Sequence, residues 1–211
     1  MTAILFDLDG TLLNTLEDLA DAVNETLTHF GCPERTVEEV RQFVGNGAER
    51  LIRLALPGKA DDPDVTAVLS YFKDYYAAHA QSKTRPYDGI LEALEEVKKE
   101  FPVAIVSNKP DGAVKLLCRQ YFADVYALGE SSHCPRKPAP DMVYKAMEAV
   151  GAENCIYVGD SEVDVLTARN AGAPCLSVLW GFRDRDALME AGATQVCKDP
   201  KDLLNDLKEM I

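Results

Sequence analysis

Positive charge is scarce in this sequence: 22 Lys and Arg stand against 35 Asp and Glu in 211 residues, a formal net charge of −13. Such a surface repels a phosphate backbone, so no nucleic-acid partner is expected. Paired cysteines are missing as well. Cys32, Cys118, Cys134, Cys155, Cys175 and Cys197 are scattered, without a C-x-x-C pair, and several sit in apolar runs; buried, reduced thiols are expected in place of a disulfide framework. His29, His79 and His133 lack metal-ligand spacing. No apolar stretch approaches about 18 residues, and no charged n-region with a long h-region precedes the first apolar run. Neither a membrane span nor a secretory leader is therefore expected, and the reading is a cytoplasmic protein, monomeric or weakly homodimeric, with a small-molecule partner. Low-complexity tracts and internal repeats are also absent.

What is present is a rhythm of short apolar runs ending in polar residues or glycine: 3–6 (AILF), 103–106 (VAIV), 125–128 (VYAL), 155–158 (CIYV) and 174–179 (PCLSVL). These have the composition of strands buried on both faces. Helical periodicity fills 89–99, 112–121, 140–150 and 162–171, and the alternation predicts an α/β fold, a doubly wound parallel sheet with right-handed crossovers. Residues 16–30, 36–43, 47–56 and 62–80 break the rhythm. They read as consecutive amphipathic helices without a strand between them, so a helical cap over 15–82 is expected, inserted into a core formed by 1–14 and 83–211. Pro86 and Gly89 mark the return to the α/β pattern.

Ligands of open parallel sheets bind beyond the carboxyl ends of the strands. There the first strand delivers Asp7, Asp9, Gly10 and Thr11, the second Ser107, Asn108 and Lys109, and the fourth Asp160, Ser161 and Asp164, while Lys137 precedes the 140–150 helix. Crowded carboxylates raise one another's pKa unless a cation holds them, and oxygen donors favour Mg²⁺. Acids, a divalent ion and a lysine on one rim describe a phosphoryl-transfer site, where positioning and charge neutralisation do most of the catalysis. Ser161-x-x-Asp164 also fits a helix capping box, Lys109 reads as surface-facing, and Lys137 sits in a loop that Pro138 and Pro140 are expected to keep extended.

D-x-D-G-T-L at 7–12, S-N-K at 107–109, K-P at 137–138 and G-D-S-x-x-D at 159–164 resemble the four ordered motifs of the haloacid dehalogenase superfamily. The segment FVGNGAERL at 43–51 is similar to the cap of its phosphoglycolate phosphatase-like members. The resemblance implies a Rossmann-like core and a Mg²⁺-dependent phosphatase of small phosphorylated metabolites, 2-phosphoglycolate first among them. Asp7 would be the nucleophile, Asp9 the general acid and base, and Lys137 the neutralising cation. Asp7, Asp9, Asp160 and Asp164 would form the metal site. Gly10, Thr11, Ser107 and Asn108 would bind the phosphoryl group, and Asn46 and Arg50 would reach the leaving group from the cap. Asn14 departs from the Asp that many relatives carry there.

Other readings stay open at this point. A pyrophosphatase or sugar phosphomutase would use the same core, and a phospho-Asp switch similar to a receiver domain would gather the same groups without turnover. A dehalogenase is disfavoured, because breaking a carbon–halogen bond needs no acid at Asp9.

Overall fold

The structure is a computed structural model and describes residues 1–58, 65–132 and 134–211. The beginning of the helix expected over 62–80, and His133, lie outside the described residues. The chain divides into two compact units, one formed by Met1–Asn14 with Pro86–Ile211 and the other by Thr15–Arg85.

The first unit is an α/β fold. Its strands are β1 (Thr2–Phe6), β4 (Val103–Pro110), β5 (Tyr126–Glu130), β6 (Asn154–Gly159), β7 (Cys175–Val178) and β8 (Gln195–Cys197), with the two-residue strands β2 (Leu13–Asn14) and β3 (Arg85–Pro86) where the chain passes between units. The six long strands form one sheet in the order β5-β4-β1-β6-β7-β8, and every pairing in it is parallel. From β1 the chain winds outward first through β4 and β5, then through β6, β7 and β8. The topological reversal therefore lies at β1, where a doubly wound sheet opens its ligand crevice.

Side-chain alternation along the strands builds a core on each face. Ile4, Phe6, Ile105, Ile156 and Val158 pack against α5 (Ile90–Lys98), α6 (Asp111–Tyr121) and α10 (Leu203–Lys208). Ala3, Leu5, Ala104, Val106, Cys155 and Tyr157 face α7 (Asp141–Ala149) and α8 (Glu162–Ala171). The helix α9 (Arg185–Glu190) and a 3₁₀ turn at Pro200–Asp202 complete this unit. All six cysteines are free thiols.

The second unit holds α1 (Leu16–His29), α2 (Val37–Phe43), α3 (Gly47–Ala55) and α4 (Thr66–His79). A capping box opens α2, with Thr36 and Glu39 each satisfying the other's backbone N–H. The unit extends to Arg85, beyond the boundary expected at 82, because its last residues are tied to α1. The buried Asp18 carboxylate accepts the Lys83 N–H at 2.9 Å and the Thr84 N–H at 2.8 Å. Among the described residues no helix is long and apolar enough to cross a membrane.

Candidate active site

Asp7 stands one residue past β1, where its N–H still donates to Val158 O of β6 at 2.8 Å. The chain then turns sharply. Leu8 O accepts the N–H groups of Leu12 and Leu13, and Gly10 adopts φ +88°, a left-handed conformation costly for any residue with a Cβ. A Cβ on Gly10 would also stand 2.2 Å from Asp160 Oδ2. Glycine is thus required twice over, by the turn and by the carboxylate beside it.

Asp160 follows β6 directly and is buried, with both oxygens held. Oδ1 accepts the Thr11 hydroxyl at 3.1 Å, and Oδ2 accepts the Phe182 N–H at 2.7 Å. Asp164, in the first turn of α8, is fully enclosed. Its Oδ2 accepts both the Ser161 N–H at 3.1 Å and the Ser161 hydroxyl at 2.6 Å, and its Oδ1 accepts from Lys137 Nζ at 2.8 Å. The same ammonium lies 2.8 Å from Asp7 Oδ1, a charge contact in which that buried oxygen accepts no hydrogen bond of good geometry. Oxygens of Asp7, Asp160 and Asp164 all lie within 4.8 Å of one another.

This crowding acts on protonation. Burial, with the charge of Asp164 and Asp9 added and that of Lys137 opposing, pushes the Asp7 carboxyl from 3.8 to about 7. Burial, followed by repulsion from Asp164 and Asp7, holds Asp160 well above the ordinary carboxylate range. Lys137 pays a burial penalty as an ammonium, but Asp164 and Asp7 more than offset it and keep the group charged.

The donor set fits a hard divalent cation. Four carboxylates, Asp7, Asp9, Asp160 and Asp164, face two ammonium groups, Lys109 and Lys137, which leaves two formal negative charges uncompensated in a buried site. An Mg²⁺ ion carries that charge and prefers oxygen ligands. Asp7 and Asp160 are the carboxylates suited to hold it, each Asp160 oxygen accepting a single hydrogen bond, whereas Asp164 Oδ2 already accepts two and its Oδ1 is paired with Lys137.

Residues 4–178 match the model of the haloacid dehalogenase-like hydrolases. The chain belongs to this hydrolase family. It is 33% identical over 214 residues to phosphoglycolate phosphatase 1 of Pseudomonas aeruginosa, covering 95% of this chain and 78% of that protein. To the phosphoglycolate phosphatase of Vibrio parahaemolyticus it is 33% identical over 225 residues, covering 99% and 95%. A crystal structure from Lactobacillus delbrueckii subsp. bulgaricus superposes with a TM-score of 0.87 at 36% identity, over 96% of both chains.

Set in this haloacid dehalogenase-like hydrolase, two sequence expectations need correction, the exposure of Lys109 and the extended lysine loop, and the other expected site residues take the places given with them. Lys109 does not face solvent: it is buried, and its Nζ lies 3.0 Å from Asp9 Oδ1. Its position after a strand end resembles a helix start, but β4 continues to Pro110 and carries the side chain inward. Thr11, expected among the substrate contacts, is fully buried and spends its hydroxyl proton on Asp160. Asn108 clasps the backbone of Lys137, donating to its carbonyl at 2.9 Å and accepting its N–H at 2.7 Å, so it positions the lysine. The lysine loop is not extended: Ala139 N–H donates to Arg136 O at 3.0 Å, closing a turn. Ser107 is buried within β4, with its Oγ accepting the Lys109 N–H at 3.2 Å. Asn46 and Arg50 lie in the helical unit, Asn46 at the N-cap of α3 and Arg50 exposed in its first turn.

Two further features bear on the site. The loop after β7 closes on the acids: Trp180 Nε1–H donates to Thr11 O at 2.9 Å, and a Cβ on Gly181 would stand 2.2 Å from Asp160 Cβ. Nothing in W-G-F alone signals that approach. Tyr157 does carry a signal, as the one hydroxyl in the apolar run 155–158, since a buried phenol needs a partner.

Proposed function

We propose that this hydrolase is a Mg²⁺-dependent phosphatase of small phosphate monoesters, with 2-phosphoglycolate as its leading substrate and an aspartyl-phosphate on Asp7 as its intermediate. The observation that carries the reading is the gathering of Asp7, Asp160 and Asp164 within 4.8 Å, with one ammonium 2.8 Å from both Asp7 and Asp164. The relatives named as phosphoglycolate phosphatases over nearly the whole chain support the substrate.

In this reading Asp7 attacks phosphorus, and the P–O bond to the leaving group breaks as the aspartyl P–O bond forms. Asp9, two residues on, gives its proton to the departing alkoxide and then takes one from the water that hydrolyses the acyl phosphate. When bound by the Asp7 and Asp160 carboxylates and the Asp9 carbonyl, Mg²⁺ supplies charge neutralisation at the phosphoryl oxygens. Lys137 favours the ionised form of Asp7 and shares the transferred negative charge, and Ser107 donates to a phosphoryl oxygen. Asp164 acts one layer out by holding Lys137. Leaving-group selection is assigned to the helical unit, with Asn46 and Arg50 as its residues.

A phosphate-release screen over small phosphorylated metabolites, pyrophosphate included, with and without Mg²⁺, tests the reading. The expected result is many equivalents of phosphate from 2-phosphoglycolate only with the ion, none from Asp7→Asn, and an altered substrate ranking in Arg50→Ala. Preference for pyrophosphate, phosphate returned to a sugar, or a single equivalent retained on the protein would each replace it.

A further inference from the structure

We propose that Tyr157 is the positioning residue of Lys137, fixing the ammonium over Asp7. The inference rests on the phosphatase reading and concerns a residue outside the four motifs. An ammonium group offers three protons. Lys137 donates two of them, to Asp164 Oδ1 at 2.8 Å and to the Tyr157 hydroxyl at 3.0 Å, and its charge faces Asp7 Oδ1 at 2.8 Å. Two carboxylates alone leave an ammonium free to swing about the line joining them, and a third contact off that line removes the freedom. The third partner is a neutral phenol, so it fixes position without altering the charge balance of the acids.

Tyr157 is itself fully buried between the sheet and the layer of α7 and α8, and its hydroxyl proton is spent on Val106 O at 3.1 Å. The phenolic oxygen therefore has its lone pairs, and no proton, for the lysine. Val106 precedes Ser107 on β4, and Tyr157 precedes Asp160 by three residues on β6. One side chain thus references Lys137 to both strands that flank β1, while Asn108 holds the lysine's backbone from β4. A tyrosine that merely filled the core would do as well without its hydroxyl.

The test compares wild type, Tyr157→Phe, Lys137→Met and the double variant in Mg²⁺-dependent phosphate release from 2-phosphoglycolate. Loss of the hydroxyl is expected to lower kcat about tenfold with KM held within about twofold, as removal of an outer partner of a site residue does. In the Lys137→Met background the same change is expected to cost no more than about twofold further, because the two groups act as one unit. In protein labelled with ¹⁵N-lysine, the Lys137 ammonium protons are expected to exchange slowly in wild type and fast in Tyr157→Phe. Replacing Tyr157 by 4-aminophenylalanine keeps a donor for Val106 O but offers Lys137 a far poorer acceptor, so it should reproduce the loss in kcat even if the Phe variant folds poorly. Unchanged kcat in a folded variant, or independent losses that multiply in the double variant, overturns the proposal. If wild type releases no phosphate from any monoester, the phosphatase reading falls instead, and an unchanged Lys137 ammonium signal in the variant is then what overturns the role of Tyr157.

Discussion

Asp7 is asked to be ionised in a place that resists ionisation, and this makes its titration visible. The unfolded chain releases that proton near the ordinary 3.8, the folded protein near 7. Between those values the native state binds more protons than the unfolded one, so stability falls as pH rises through the window. In divalent-free buffer, wild type is expected to lose stability relative to Asp7→Asn from about pH 4 to about pH 7, as read by denaturant midpoints. Mg²⁺ should cancel the difference, and its affinity should rise across the same range as the proton it displaces becomes easier to lose. Gly10 offers a second check at this scale. In Gly10→Ala the new Cβ meets Asp160 Oδ2, so the Mg²⁺ concentration for half-maximal turnover is expected to rise about 10- to 100-fold, as measured by metal titration. Residue types and spacing made the gathering of Asp7, Lys137, Asp160 and Asp164 legible in the sequence, because several acids beyond strand ends demand a compensating charge. Lys109 was not legible, since a lysine has the same local appearance whether its chain points out or in. Its burial depends on β4 continuing past Ser107, a tertiary matter.

Elements were legible where periodicity was long. β1, the first half of β4 and most of β6 are near-continuous apolar runs, and α1 and α8 carry buried residues along one side. β8 went unread because Gln195–Cys197 is three residues long and contains one polar side chain, too short for any period. The helices α9 and α10, six residues each, escaped for the same reason. The unit boundary shifted for a different cause, the side-chain capture of backbone N–H groups by Asp18. That capture makes a prediction at the level of the element. Asp18→Ala strands two buried or half-buried N–H donors at residues 83 and 84, and is expected to lower stability by about 1–3 kcal/mol, measured by chemical denaturation. An effect near zero would mean that water satisfies those donors and that α1 does not hold the end of the helical unit.

Across the whole molecule, the order of strands explains why distant segments share one chemistry. β1 sits between β4 and β6, so three adjacent central strands deliver Asp7, Ser107 and Asp160 to the same side of the sheet's switch point. The surrounding layers close the remaining gaps, α8 with Asp164 and the loop before α7 with Lys137. The most direct measurement follows from that convergence. Asp9→Asn protein is mixed with Mg²⁺ and p-nitrophenyl phosphate, an ester whose good leaving group needs no acid, then quenched, reduced with borohydride and mapped by mass spectrometry. Nucleophilic attack by Asp7 predicts homoserine at position 7, formed by reduction of a trapped acyl phosphate and absent without Mg²⁺. Release of p-nitrophenol with residue 7 still recovered as aspartate, or modification at another carboxylate, would contradict it.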